Sequence, residues 1–202
     1  MPDRYFNNGW FGRHPSAYEI ASLFIAPLRR HAARIAGRSP GRIIDIATGT
    51  GANALKLAQL GHSVVGIDLD REMLAKAEKK RRAHLDLDFM HGDGTALPFD
   101  DNTFDAATIS FAMHDVPPEI GVGILREARR VVRPKGRIHI IDYNDLGAGF
   151  GARLLYRVAR FYETPNYFGF VRGGVARYLE AAGLTVDRKR HFLGAVQFLS
   201  AV

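Results

Sequence analysis

Short apolar runs alternate with stretches of helical period along most of this chain. "RIIDIA" (42–47) and "SVVGID" (63–68) are compact and β-branched, which predicts buried strands. Between them the period predicts a helix from about Ala52 to Leu60, stopped at Gly61. Arg71 to His84 reads as a second helix, with Met73, Leu74 and Ala77 on one side. "LDLDFM" (85–90) alternates as a third strand, and "AATISFA" (106–112) forms a fourth after the polar turn region 97–105. Residues 117–132 set Ile120, Ile124, Leu125, Ala128, Val131 and Val132 at helical spacing, with Pro117 or Pro118 near the start. "RIHIIDY" (137–143) is a fifth strand.

Both ends differ from this rhythm. Ser16 to Ile35 predicts a helix interrupted at Pro27 and closed by Gly37. Residues 150–163 and 173–182 predict two more helices, the second stopped by Gly183. "LTVDRKR" and "GAVQFLSAV" predict two adjacent closing strands. Repeated strand–helix alternation specifies an α/β fold: a parallel sheet with right-handed crossovers and helices on both faces. Ligands in such sheets bind beyond the carboxyl ends of the strands, where the strand order reverses.

Composition narrows the chemistry. The 202 residues are 47% hydrophobic, enough for one domain (1–202) with a sizeable core. No apolar run reaches the roughly 18 residues of a membrane span. The first residues, "MPDRYFNNGWFGRHP", show no charged-then-apolar leader, so cytoplasmic residence is the expectation. With no cysteine, thiolate nucleophiles and sulfur-ligated metals are excluded. None of the eight histidines pairs with a carboxylate at metal-site spacing, so no metal is expected. The net charge of +7 suits nucleic acid, an anionic membrane or an acidic substrate. The densest basic run, 76–84, has Glu72 and Glu78 four residues before Lys76 and Arg82, which predicts a solvated, ion-paired helix face. No nucleic-acid partner is expected.

The chemistry sits at the strand ends. "GTGANA" (49–54) follows the first strand and satisfies the loose spacing of a dinucleotide loop. Its acidic neighbours favour a different adenosine cofactor. Asp45 precedes the glycines, Asp68 ends the second strand, and Asp93 follows the third in "HGDG". A pyrophosphate is repelled by three carboxylates. A sulfonium, an ammonium group, a ribose diol and an adenine amine are attracted, and together they describe S-adenosylmethionine. Gly49 and Gly51 let the backbone turn sharply and approach the ligand. Asp45 faces the positive methionine end or orients the loop, and Asp68 accepts the ribose hydroxyls. Asp93 and the Gly94 N–H address the adenine, with Leu69, Ala96, Leu97 and Phe111 as apolar walls.

In these segments the chain resembles the class I S-adenosylmethionine-dependent methyltransferases. "IIDIATGTGANALKLA", which includes Ala47, resembles their first motif, and "VVGIDLDREMLAKA" their ribose-binding strand and helix. "GDGTALPFDDNTFDAATISFAMHDVP" resembles their adenine loop and fourth strand, and "LREARRVVRPKGRIHIIDY" their closing helix-turn-strand. The resemblance implies a three-layer, Rossmann-like sandwich whose seven-stranded, mostly parallel sheet has an antiparallel last strand. It implies methyl transfer from S-adenosylmethionine to a small molecule, quinone-like or lipid-like. Within the family the chain is most similar to the ubiquinone/menaquinone-biosynthesis C-methyltransferases. It departs from them in carrying His114-Asp115 where they usually carry Arg-Asn.

Several assignments stay open on sequence. His114, just after the fourth strand, is a candidate general base or a residue that shapes the pocket. Asp142 and Tyr143 line the substrate side or belong to a loop. Residues 1–37 form a helical lid carrying Tyr5, Phe6, Trp10 and Phe11, or those aromatics staple the first helix. Residues 150–182 form a substrate cap; within them, the basic amphipathic stretch 151–163 is also a candidate for peripheral membrane contact. A nicotinamide-dependent oxidoreductase and a nucleic-acid methyltransferase are the rival functions. "HDVP" replaces the N/D-P-P-Y/F-like tetrapeptide expected of many of the latter.

Overall fold

The computed structural model describes residues 41–145, 149–159 and 164–202. The helix expected over 16–35, the lid assigned to 1–37 and its four aromatics lie outside the described residues, as do Arg160 and Phe161.

Thirteen elements follow one another in these residues: β1 (Arg42–Ile46), α1 (Ala52–Gln59), β2 (Ser63–Asp68), α2 (Arg71–Glu78), β3 (Leu87–His91), β4 (Phe104–Ser110) and α3 (Pro118–Val131), then β5 (Val132–Tyr143), α4 (Phe150–Ala159), α5 (Pro165–Gly173), α6 (Ala176–Ala181), β6 (Val186–Phe192) and β7 (Val196–Ala201). The sheet has seven strands in the order β3-β2-β1-β4-β5-β7-β6. β1 to β5 pair in parallel, and β7 runs antiparallel to both β5 and β6. The order reverses between β1 and β4, so the carboxyl ends of those two strands flank the crevice.

Both sheet faces are covered, which explains why the strands read as continuous apolar runs. Ile43, Val64, Leu87 and Ala106 pack under Ala54, Leu57 and Ala58 of α1. Their neighbours Ile44, Ile46, Ala107 and Ile109 point the other way, into a larger core with Ile124, Leu125 and Ala128 of α3 and Tyr178 and Leu179 of α6. Adjacent residues of one strand thus serve opposite cores, as period-two geometry requires.

The structure corrects four expectations of detail. The α2 helix ends at Glu78, short of His84, and Arg82 turns back onto the carbonyls of Lys79 and Arg81. The expected Glu78–Arg82 pair is replaced by Arg81, which reaches Glu78 at 3.8 Å and Asp88 across the turn. β5 begins at Val132, five residues early, with a register shift against β4 between Phe104 and Ala106. The helix expected over 173–182 is shorter, Ala176–Ala181, and an additional helix, α5, precedes it; Gly174, at φ +72°, separates the two.

Candidate functional site

The loop after β1 turns through left-handed conformations at Ala47 (φ 54°), Gly49 (φ 56°) and Gly51 (φ 72°). For Ala47 this backbone is strained by about 1–2 kcal/mol. The surrounding hydrogen bonds hold it. Thr48 N–H donates to the Ile67 carbonyl of β2 at 3.0 Å. Asp45, almost fully buried, accepts from Thr48 Oγ1 (2.6 Å), Asn53 Nδ2 (2.6 Å) and Thr108 Oγ1 (2.5 Å). One carboxylate therefore ties the glycine loop to the start of α1 and to β4.

The two loop glycines have different physical roles. A Cβ on Gly51 would stand 2.5 Å from Phe89 Cζ and 2.9 Å from Ala77 Cβ. Its missing side chain lets the loop seat against β3 and α2. A Cβ on Gly66 of β2 would also strike Phe89, at 2.7 Å. The Phe89 ring thus lies in a cradle formed by two glycines.

Asp68 faces the loop from the end of β2. Its Oδ2 accepts the Gly49 N–H at 2.6 Å and its Oδ1 the Asp70 N–H at 2.8 Å. A carboxylate has about four acceptor positions, so further donors can bind there. Burial pushes its pKa up to about 6; the two backbone N–H groups oppose the rise, and the charges of Asp70 and Asp45 add to it. Asp70 itself caps α2 through the N–H groups of Glu72 and Met73. Asp93 lies beside this corner, since Gly92 N–H donates to the Asp68 carbonyl at 3.0 Å. Asp93 Oδ1 accepts both Thr95 donors at 2.8 Å, leaving Oδ2 without a partner among the described residues. Gly94 packs closely on Ile46. Leu69 is half-buried and Ala96 exposed, whereas Leu97 is part of the main core.

A second group gathers at the ends of β4 and β5. Phe111 leaves β4 in a left-handed conformation (φ 54°), and its N–H donates to the Ile141 carbonyl at 2.7 Å. His114 is buried with Nδ1 2.7 Å from Asp142 Oδ1. Asp142, fully buried, also accepts the N–H groups of Met113 (3.0 Å), His114 (3.4 Å) and Tyr143 (2.7 Å). Edge-to-face rings surround the imidazole: Tyr143 at 4.6 Å, Tyr167 at 6.1 Å and Phe170 at 6.4 Å. Phe111 packs on Tyr143 at 5.7 Å.

Sequence reasoning missed the supports. Glu127 accepts the Leu97 N–H, and Arg130 donates to the carbonyls of Leu97 and Phe99 and to Asp101 and Glu127. Together they strap the loop after Asp93 onto α3. The i,i+3 spacing of Glu127 and Arg130 was a visible signal for their pairing, though not for its target. Nothing local marked Thr108 or Asn53 as partners of Asp45.

Comparisons with known proteins identify the family. The methyltransferase domain family matches residues 43–136. A demethylmenaquinone methyltransferase of Thermus thermophilus is 40% identical over 159 residues, 75% of this chain and 70% of that protein. One from a Mycobacterium species (strain KMS) is 31% identical over 86% of this chain and 80% of its own length. The chain belongs to the class I S-adenosylmethionine-dependent methyltransferases. Within them it falls in the group similar to the quinone-biosynthesis C-methyltransferases.

The methyltransferase fold extends to distant structures. A SAM-dependent methyltransferase from Aquifex aeolicus superposes with a TM-score of 0.67 over 86% of this chain and 88% of its own, at 23% identity. The PH0226 protein of Pyrococcus horikoshii gives 0.70 over 91% and 90%, at 22% identity. The chain spans only about half the length of some relatives, 54% of the demethylmenaquinone methyltransferase of Beutenbergia cavernae, which is 40% identical over 65% of this chain. No helix among the described residues is long and apolar enough to cross a membrane, and no cluster of metal-ligating side chains occurs among them.

Proposed function

We propose that this chain is a cytoplasmic enzyme that transfers a methyl group from S-adenosylmethionine to a small, hydroxylated aromatic acceptor of quinol type. The observation that carries the reading is the buried His114–Asp142 pair, walled by aromatic rings at the carboxyl ends of β4 and β5. Relatives at 40% identity named demethylmenaquinone methyltransferases support the acceptor class.

The residues present fit the cofactor. Thr50 Oγ1 in the glycine loop and Ser110 Oγ at the end of β4 are buried without partners among the described residues, on either side of the point where the strand order reverses. Buried hydroxyls without partners are unfavourable, and a polar ligand between β1 and β4 relieves them. Asp68 would hold the ribose hydroxyls, Asp93 Oδ2 and the Gly94 N–H the adenine. Ala47, Gly49, Gly51 and Phe111 would shape the cavity. Asp45 supports this loop from beneath through Thr48 and Asn53. S-adenosylmethionine, when bound, supplies an electrophilic methyl group on a sulfonium and leaves as a neutral thioether.

The chain's own groups do the rest. Asp142 accepts from His114 Nδ1–H, which makes Nε2 the nitrogen that can take a proton. His114 accepts the acceptor's hydroxyl proton there, and Asp142 stabilises the resulting imidazolium. General-base assistance of this kind contributes about 10²–10⁴-fold. The half-buried Phe111 and Tyr143 would align an aromatic ring and exclude water, with the buried Tyr167 packed behind Tyr143. Helices α4 to α6 cap this side.

The test combines binding and turnover. Titration calorimetry should show S-adenosylmethionine binding to wild type and a large loss in Asp68→Ala. Incubation with reduced demethylmenaquinone should then yield a product one methyl group heavier. Cofactor binding without methylation of any quinol would remove the acceptor class, and absent binding would remove the whole reading.

A further inference from the structure

The α4 helix has two faces with different fates. Ala152 is buried, and Tyr156 stacks on Tyr167 at 6.2 Å and meets Phe168 at 5.7 Å. That face closes the aromatic side of the His114 region. Phe150, Leu154 and Val158 lie four residues apart on the opposite face, and all three are exposed, Phe150 to 82%. A straight apolar stripe of this kind on a water-facing helix side is not needed for the core.

A second element extends the stripe. A Cβ on Gly151 would overlap the Leu193 carbonyl oxygen, so the start of α4 abuts the turn between β6 and β7. At that turn Leu193 is 79% exposed and Phe192 is also exposed. Two separate elements therefore project apolar side chains from one neighbourhood, which exceeds the scattered exposure normal for a monomer.

Charge identifies the occupant. The α4 helix contains no acid, and its exposed Arg153 and Arg157 lie alongside the apolar stripe. β6 is exposed throughout and sets Arg188 and Arg190 on the same face as Phe192, while Lys189, on the other face, reaches Asp145 at 3.5 Å. Its one acid, Asp187, is held by Arg137 at 2.8 Å. A second copy docked on this face about a two-fold axis would bring arginine against arginine. An anionic bilayer offers apolar depth and negative headgroups together, and a stable hold on a membrane generally needs both signals.

We infer that the outer face of α4 and the β6–β7 turn form a docking surface for an anionic phospholipid membrane, inserting Phe150, Leu154, Val158 and Leu193 beneath a collar of basic side chains. The surface lies on the helix that closes the acceptor side, so a lipid-borne acceptor would reach the site from the bilayer. That last point rests on the proposed function; the docking surface itself does not.

Vesicle co-sedimentation tests it with the whole chain. Wild type should sediment with phosphatidylcholine vesicles containing 30% phosphatidylglycerol, and at least about tenfold less with pure phosphatidylcholine or in 0.5 M salt. Leu154→Ser with Leu193→Ser, and separately Arg153→Glu with Arg157→Glu, should each lower binding about tenfold. All four positions are exposed, so melting temperature and S-adenosylmethionine affinity should stay unchanged, which separates this result from any failure of the cofactor reading. Wild type that ignores anionic vesicles, or variants that bind them like wild type, would overturn the inference. So would a concentration-dependent dimer abolished by the serine changes, because a second copy would then own the face.

Discussion

His114 and Asp142 meet through a 2.7 Å contact between Nδ1 and Oδ1, across 28 residues of sequence, with Asp142 fully buried and His114 nearly so. Asp142 is a positioning residue in the proposed chemistry. Asp142→Asn should lower kcat by about 10²-fold or more with a small change in acceptor KM, since it leaves proton transfer without an oriented base. His114→Asn should lose the same kcat and flatten the acid limb of the kcat–pH profile. A KM effect alone would assign the pair a purely structural role.

Asp68 makes cofactor affinity depend on pH. Its carboxyl titrates at about 6 in the folded chain, so below that pH it carries a proton and accepts hydroxyl donors less well. The S-adenosylmethionine dissociation constant should therefore rise as pH falls from 7 to 5, measured by calorimetry. Asp68→Asn should bind weakly and show no such dependence.

The same residue shapes stability. The folded state holds this proton between about pH 4 and 6 while the unfolded chain releases it, so this contribution to stability falls as pH rises through that window. The total change is about 3 kcal/mol. His139 acts oppositely. Burial, with the nearby Arg137 charge, lowers its pKa to about 4, so its contribution is intact above 6.5 and is lost as pH falls toward 4, again by about 3 kcal/mol. The two slopes should largely cancel in wild type. Denaturant titrations of Asp68→Asn should show stability falling with acid, and His139→Gln the reverse.

The Phe89 cradle predicts a rescue. Gly66→Ala should destabilise by about 1–3 kcal/mol, because the new Cβ meets the ring. Adding Phe89→Leu should recover part of that loss, and a thermal melt of the double variant reads it. Strict additivity of the two changes would show that the contact is not the cause.

Arg130 should control the loop after Asp93. Removing its four partners in Arg130→Ala should cost about 1–2 kcal/mol. The Leu97 amide, held by Glu127, should exchange hydrogen faster than in wild type. Unchanged exchange would show that Glu127 holds the loop unaided.

Local pattern alone determined much of this protein. β-branched runs and helical spacing specify the strand–helix order, and Asp45, Asp68 and Asp93 fall at successive strand ends, because period and turn chemistry are properties of neighbouring residues. Only the tertiary structure decided what those groups touch. Gly51 leaves room for the Phe89 ring; Asp45, open on sequence between a ligand contact and support of the loop, holds Thr48, Asn53 and Thr108; α2 stops at Glu78, where Arg81 turns to Asp88 instead of continuing the helical spacing. Asp142 becomes the partner of His114 because β4 and β5 lie side by side in parallel, bringing their carboxyl ends together. Contacts between chain-distant residues follow from sheet order and register, and no window of adjacent residues encodes them.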